Sequence, residues 1–159
     1  GFHIWLPMGN FITDQTYFVL PDIYTTLLSP GNTPLPITVT AYNPVSGTLY
    51  VNSGRGYNRI NTVKPELAAP GVDYNAPNLD HQIVAYTGTS AAAAHAGGIA
   101  ALMYEWGTVR GNQPGMDTVE IKEYLVRGAT RSTNQTYPNR NWGYGALNIY
   151  GAFDVLRSD

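Results

Sequence analysis

The sequence contains no cysteine. That excludes disulfides, thiolate zinc sites and thiol catalysis, and leaves the compartment open. Charge is also scarce. Asp, Glu, Lys and Arg make up 13% of the chain, against about 25% in an average soluble domain. Nine basic and eleven acidic residues leave a net charge of −2. With no basic excess to neutralise a phosphate backbone, dedicated nucleic-acid binding is excluded. No run of 18 apolar residues is present, so no segment reads as a membrane-spanning helix. There is no internal repeat. The opening Gly1-Phe2-His3-Ile4-Trp5-Leu6-Pro7 has no Met and no signal-peptide layout, and reads as the interior of a longer polypeptide.

What remains is a chain of 159 residues, 43% of them apolar. That is enough for one domain with a core, and too apolar for a disordered segment. Phe2–Leu6 and Thr16–Leu20 carry the composition of two strands, with Met8-Gly9-Asn10 and Thr13-Asp14-Gln15 in loops. Pro21 to Pro36 is rich in Pro and Gly and reads as loop. Ile37–Tyr42 is a strand, Thr48–Val51 a second short one, and Asn52–Gly56 a turn. Lys64–Val72 is a strand bracketed by prolines, and Val84–Tyr86 is another extended piece.

From Thr89 to about Trp106 the character changes to an alanine-rich run, small or apolar on nearly every side. A helix of that kind is a buried helix. Gly97 and Gly98 within it each cost roughly 1 kcal/mol relative to Ala. They are tolerable where a neighbouring element packs very close, and Gly107 is the expected stop. A second helix spans Asp117–Val126, capped by Asp117 or Thr118, with Val119, Ile121, Tyr124 and Leu125 inward. A third covers Asn148–Leu156. Short strands alternating with helices predict an α/β layered fold.

The sharpest chemical feature is Tyr86-Thr87-Gly88-Thr89-Ser90. A strand ends, a glycine turns the chain, and a serine stands at the start of a buried helix. Helix N-termini present unpaired amides and a partial positive charge. An oxyanion forming beside Ser90 would meet those amides. Taken alone, a Ser or Thr before a helix is an N-cap far more often than a nucleophile, and the absence of a Glu or Gln to close a capping box after Thr89 or Ser90 weakens that reading without reversing it.

Four segments, in order, carry a resemblance. Gly88-Thr89-Ser90-Ala91-Ala92-Ala93-Ala94-His95-Ala96-Gly97-Gly98 resembles the nucleophile motif G-T-S-x-A-x-P-H-x-x-G of the subtilisin-like serine peptidases, the subtilases. Lys64–Val72 resembles their K-P-[DE]-[IVL]-x-A-P-G-[VA] segment. Val51–Gly56 resembles the F-S-S-x-G turn, and Trp142–Asn148 resembles the closing G-x-G-x-[VIL]-[ND]. The opening through Gly31 is similar to clostridial germination-type (Csp-like) subtilases, in which a jelly-roll is inserted in the catalytic domain.

The resemblance implies a fold and a division of the chain. Residues 1–20 would be the end of a β insert and the return to the core. Residues 21–159 would be the C-terminal part of a subtilisin-like parallel-sheet domain. It implies serine endopeptidase activity on peptide or protein substrates, with Ser90 as nucleophile and Gly88 and Thr89 supporting the oxyanion site. Leu28 falls where relatives carry a small residue lining the specificity pocket. The family's catalytic Asp and His lie upstream of everything matched here, so the N-terminal half of the same polypeptide is the expected partner. Fragment activity alone is not expected. No cofactor is implied. Some relatives hold structural calcium, but Asp73, Asn75, Asn78 and Asp80 form no calcium-loop pattern. A bacterial, secreted, cell-envelope or spore-associated location follows from the same resemblance.

His95 matches the motif's structural histidine. Five residues after Ser90, it lies about 140° around a helix, on nearly the opposite face, and is not Ser90's base. Ala94 replaces the motif Pro. Two rival readings stand beside the peptidase. One is a pseudoprotease of the same fold acting in binding or signalling. The other is a glycan-binding β module using the 12 Tyr and 3 Trp as stacking platforms.

Overall fold

A computed structural model describes residues 3–7 and 11–158. Its strands are β1 (Val39–Tyr42), β2 (Leu67–Pro70), β3 (Tyr74–Pro77) and β4 (Ile83–Tyr86). Its α-helices are α1 (Thr89–Tyr104), α2 (Thr118–Arg127) and α3 (Ile149–Ser158). β1 and β2 pair in parallel, Val39 opposite Leu67 and Tyr42 opposite Pro70. β3 and β4 form an antiparallel hairpin, Tyr74 opposite Tyr86. α1 packs on the parallel pair and α2 packs against α3. This is the α/β arrangement with a parallel sheet that the sequence implies. Three helices are incompatible with a glycan-binding β module.

The segments singled out by motif converge on β2. The Trp142–Asn148 segment runs beside it, with Tyr144 donating to the Glu66 carbonyl at 2.7 Å, Ala68 to Gly145 at 2.9 Å and Leu147 to Ala68 at 2.7 Å. Buried Ser53 accepts from the Ala41 amide at 3.0 Å, tying the Asn52–Gly56 turn to β1. Two buried clusters result. Leu67, Met103, Met116, Ile121, Leu125, Ala129 and Ala152 fill the side facing the helices. Ala41, Ala69 and Ala92 form a second, thin one where α1 meets the sheet. Only small residues fit there, because α1 lies very close to the strands.

Several elements differ from the sequence reading. Residues 3–6 and 16–20 form no strand. Their composition suits a strand, but a strand needs a partner edge and none is offered among the described residues. Phe2 and Met8-Gly9-Asn10 lie outside the described residues. Thr48–Val51 is reduced to a single bridge, Tyr42 to Leu49. β3 was not expected at all, because Asp73-Tyr74-Asn75-Ala76-Pro77 has neither alternation nor β-branched residues. Gly107 does not stop the first helix. The chain continues through a π-helical turn, Glu105–Val109. Gly107 lies buried within it, and a Cβ there would stand 2.9 Å from the Met116 sulfur. The glycine serves close packing, not termination. In α2, Asp117 caps the Val119 and Glu120 amides and Glu120 returns the bond, a complete capping box. Ile121 and Leu125 are buried, but Val119 is 59% exposed.

Candidate active site

The site is built where the hairpin hands the chain to α1. Gly88 turns that corner with φ 155°, a conformation open to glycine and closed to other residues. Its amide donates to Gly71 at 2.8 Å. The Thr87 hydroxyl accepts the Asp73 amide at 2.9 Å and lies 3.3 Å from the Asp73 carboxylate. The two ends of the hairpin are thereby pinned together directly under the helix start. Gly71 is in turn packed so tightly that a Cβ would lie 2.8 Å from both the Ala41 Cβ and the Gly88 carbonyl.

Gly88, not Thr89 or Ser90, is the N-cap, and no side chain caps the helix. The Gly88 carbonyl receives the Ala91 and Ala92 amides. Among the described residues the Thr89 and Ser90 amides make no hydrogen bond, and neither does the Ser90 hydroxyl. Ser90 is exposed. The bland capping role is therefore not the one these side chains perform.

Ser90 borders a groove of about 680 Å³ between α1 and the hairpin. Tyr74, Ala76, Pro77 and Tyr86 form one wall, and Ala91, Ala94, His95, Gly98, Ile99 and Leu102 form the other. The lining is mostly apolar, as in sites that bind by shape with few polar groups. His95 borders this same groove instead of facing away from Ser90. The groove is broad enough to take in helix residues from Ser90 round to His95. The His95 ring stands edge-on to Tyr74 at 4.0 Å. Its Nδ1 lies 3.2 Å from the Ala91 carbonyl. Since a carbonyl only accepts, Nδ1 carries the hydrogen. No Ser90–His95 hydrogen bond occurs among the described residues, in keeping with a structural histidine.

Leu28 lies elsewhere. It lines a separate cavity of about 200 Å³ with Trp5, Thr25, Leu27, Ser29, Asn32, Asn58 and Arg59, and Ser90 does not border that cavity. The Trp5 indole donates to the Thr25 carbonyl at 3.2 Å and stacks on exposed His3. His81 is exposed at the hairpin turn. Among the described residues no three His, Asp or Glu side chains are grouped to hold a metal ion. Near the calcium candidates, Asn78 instead accepts the Asp80 and Gln82 amides.

A glycine-turned strand end, an uncapped helix start and an exposed serine meet at one corner of the groove between α1 and the hairpin. The subtilase family profile matches residues 22–145, and the chain belongs to that family. Among solved structures it is similar to the Clostridium perfringens CspB protease, with a TM-score of 0.86 and 36% identity over 91% of this chain and 32% of that one. It is also similar to the prenylagaramide maturation protease PagA, with a TM-score of 0.68 and 27% identity over 84% of this chain and 46% of that one. A third likeness is to the PatG macrocyclase in complex with peptide, with a TM-score of 0.66 and 28% identity over 82% of this chain and 38% of that one. No curated protein matches the chain. The chain spans about a third of the CspB protease and under half of the other two.

Proposed function

We propose that this chain is the C-terminal part of the catalytic domain of a subtilisin-type serine endopeptidase, with Ser90 as nucleophile. The observation that carries the reading is the exposed Ser90 hydroxyl at an uncapped helix start, beside two unpaired amides and over an apolar groove. The triad Asp and His come from upstream sequence of the same polypeptide, which is this chain's principal partner. Residues 1–20 are the return from a β insert. The protein is bacterial and works outside the cytoplasm, in the envelope or spore.

The upstream His takes the Ser90 proton as Oγ attacks the peptide carbonyl. The carbonyl π pair moves onto oxygen, and the Ser90 amide donates to that oxyanion. Thr89 and Gly88 hold the amide in place. Collapse expels the amine with the proton returned by His, and water then releases the acyl group by the same path. An amide pre-aimed at the developing charge needs no reorganisation during the reaction.

The test is a fluorophosphonate probe applied to the polypeptide together with its upstream sequence. Label on the Ser90 peptide, and loss of hydrolysis by several orders of magnitude in Ser90→Ala, is the expected result. Full activity in Ser90→Ala would end the nucleophile assignment. A folded, unlabelled protein would favour the binding or signalling role instead.

A further inference from the structure

Away from the groove, three charged side chains meet in the interior. Lys64 is fully buried, Glu66 is 6% exposed and Lys122 19% exposed at the side chain. Both ammonium groups converge on one carboxylate oxygen, Glu66 Oε1: Lys64 in close contact and Lys122 at 3.4 Å. Two positive charges share one negative charge. The surplus is met by backbone oxygens. Lys64 donates to the Pro36 carbonyl at 2.7 Å and lies 3.4 Å from Thr38 Oγ1. Lys122, reaching across from α2, donates to the Pro34 carbonyl. The other Glu66 oxygen accepts the Thr38 amide at 2.8 Å. A buried charge is tolerated only when so satisfied.

Every oxygen that is not Glu66's own belongs to one loop, Pro34 to Thr38. That loop has no strand or helix of its own before β1. The Thr38 hydroxyl also bonds to the Gly31 carbonyl. Gly31 leaves room beside the Leu28 carbonyl, which an added Cβ would approach to 3.2 Å, and its neighbour Asn32 lines the cavity. Asn32 is held by Asn58 at 3.0 Å. A continuous path thus runs from Lys122 on α2, through Glu66 and Thr38, to the residues that wall the Leu28 cavity.

The geometry points to a positioning role: Lys122 and Lys64, bridged by Glu66, clamp the Gly31–Thr38 loop to α2 and β2 and so fix the wall of the Leu28 cavity. The functional half of this inference rests on the reading of Leu28 as a substrate side-chain pocket residue of the proposed peptidase. Lys122 is the informative position. Lys122→Met keeps the aliphatic stem and leaves Glu66 paired with Lys64, so the interior retains a balanced pair. Loss of Lys64 would instead remove the fully buried partner and leave Glu66 only Lys122 at 3.4 Å, a less local change.

The experiment compares wild type, Lys122→Met and Lys122→Arg in the polypeptide with its upstream sequence. Amide exchange at Thr33 and Thr38 should quicken by about tenfold in Lys122→Met, with Ala68 in β2 unchanged, as for a local opening. Lys122→Arg should restore protection. KM for a peptide substrate should rise by about threefold or more at unchanged kcat, as expected when positioning and not chemistry is lost. Exchange that is unchanged, or that quickens uniformly along the chain, overturns the clamp. Local opening with unchanged KM overturns the link to the substrate pocket. Failure of Ser90 to label in wild type strikes the peptidase reading instead, and leaves the exchange result to judge the clamp.

Discussion

Gly71 shows how much depends on the volume of one residue. It follows β2 directly, below the Gly88 corner, and three neighbours occupy the place of its missing Cβ: Ala41, Gly88 and Ala92. Two of them are buried core alanines and the third is backbone, so none can yield cheaply. Gly71→Ala should destabilise the chain by about 1–3 kcal/mol, the cost of overpacking a close contact. Urea unfolding will check it, and an unchanged midpoint would mean that helix and strand can separate freely. Glycine was readable here as part of a motif. The reason for it was not, because close approach between α1, β1 and β2 is a property of three separate segments. Ser90 was readable for the opposite reason: strand, turn, serine and helix are consecutive, and local sequence decides local geometry. Leu28 took its place in the reading from resemblance alone, and its cavity is set by Trp5 and Asn58, which no nearby residue announces.

Among the elements, α2 was the most legible and α1 the most instructive. A reciprocal cap between Asp117 and Glu120 fixes where α2 begins, and Ile121 and Leu125 lie where its period puts them. Val119 fails as an inward residue because it lies about 200° around the helix from buried Ile121, on the outer face. The π turn at Glu105–Val109 left no trace in sequence; the space its Gly107 leaves is filled by Met116, a residue beyond the turn. α1 was expected to be surrounded, and it is only half covered. Ala92, Ala96 and Met103 are buried, while Ala93, Ala94, Gly97 and Gly98 are exposed and Leu102 is 50% exposed. A Cβ at Gly97 or Gly98 would have no heavy atom within 4 Å. In this chain alone, Gly98→Ala should therefore stabilise by about 0.5–1 kcal/mol through helix propensity. In the polypeptide with its upstream sequence the same change should destabilise, if that sequence packs on this face. Thermal unfolding of both forms checks the sign, and a gain in both would deny the face a close neighbour.

At the scale of the whole molecule, the accessible surface is 10326 Å². A folded monomer of 17.3 kDa should expose about 7,800 Å². The excess is larger than one partner's share of an ordinary protein–protein interface, roughly 800 Å². Much of it is apolar, including Phe11, Val19, Leu20, Leu79 and Tyr150. Exposed apolar surface of this extent is the kind that a partner covers. The isolated chain should bind a hydrophobic dye and self-associate at micromolar concentration. Adding the upstream segment in trans should suppress both, as followed by fluorescence and light scattering. A monomer dark to the dye would show that the chain needs no cover. The seat at Gly71 also governs direction. An alanine-rich rod, apolar on every side, has no bearing of its own about its long axis, and could roll on the sheet with little penalty. The small-residue contact with Ala92 stops that roll, at one azimuth. Which way the Ser90 hydroxyl points is therefore decided by a methyl group that a different segment leaves out.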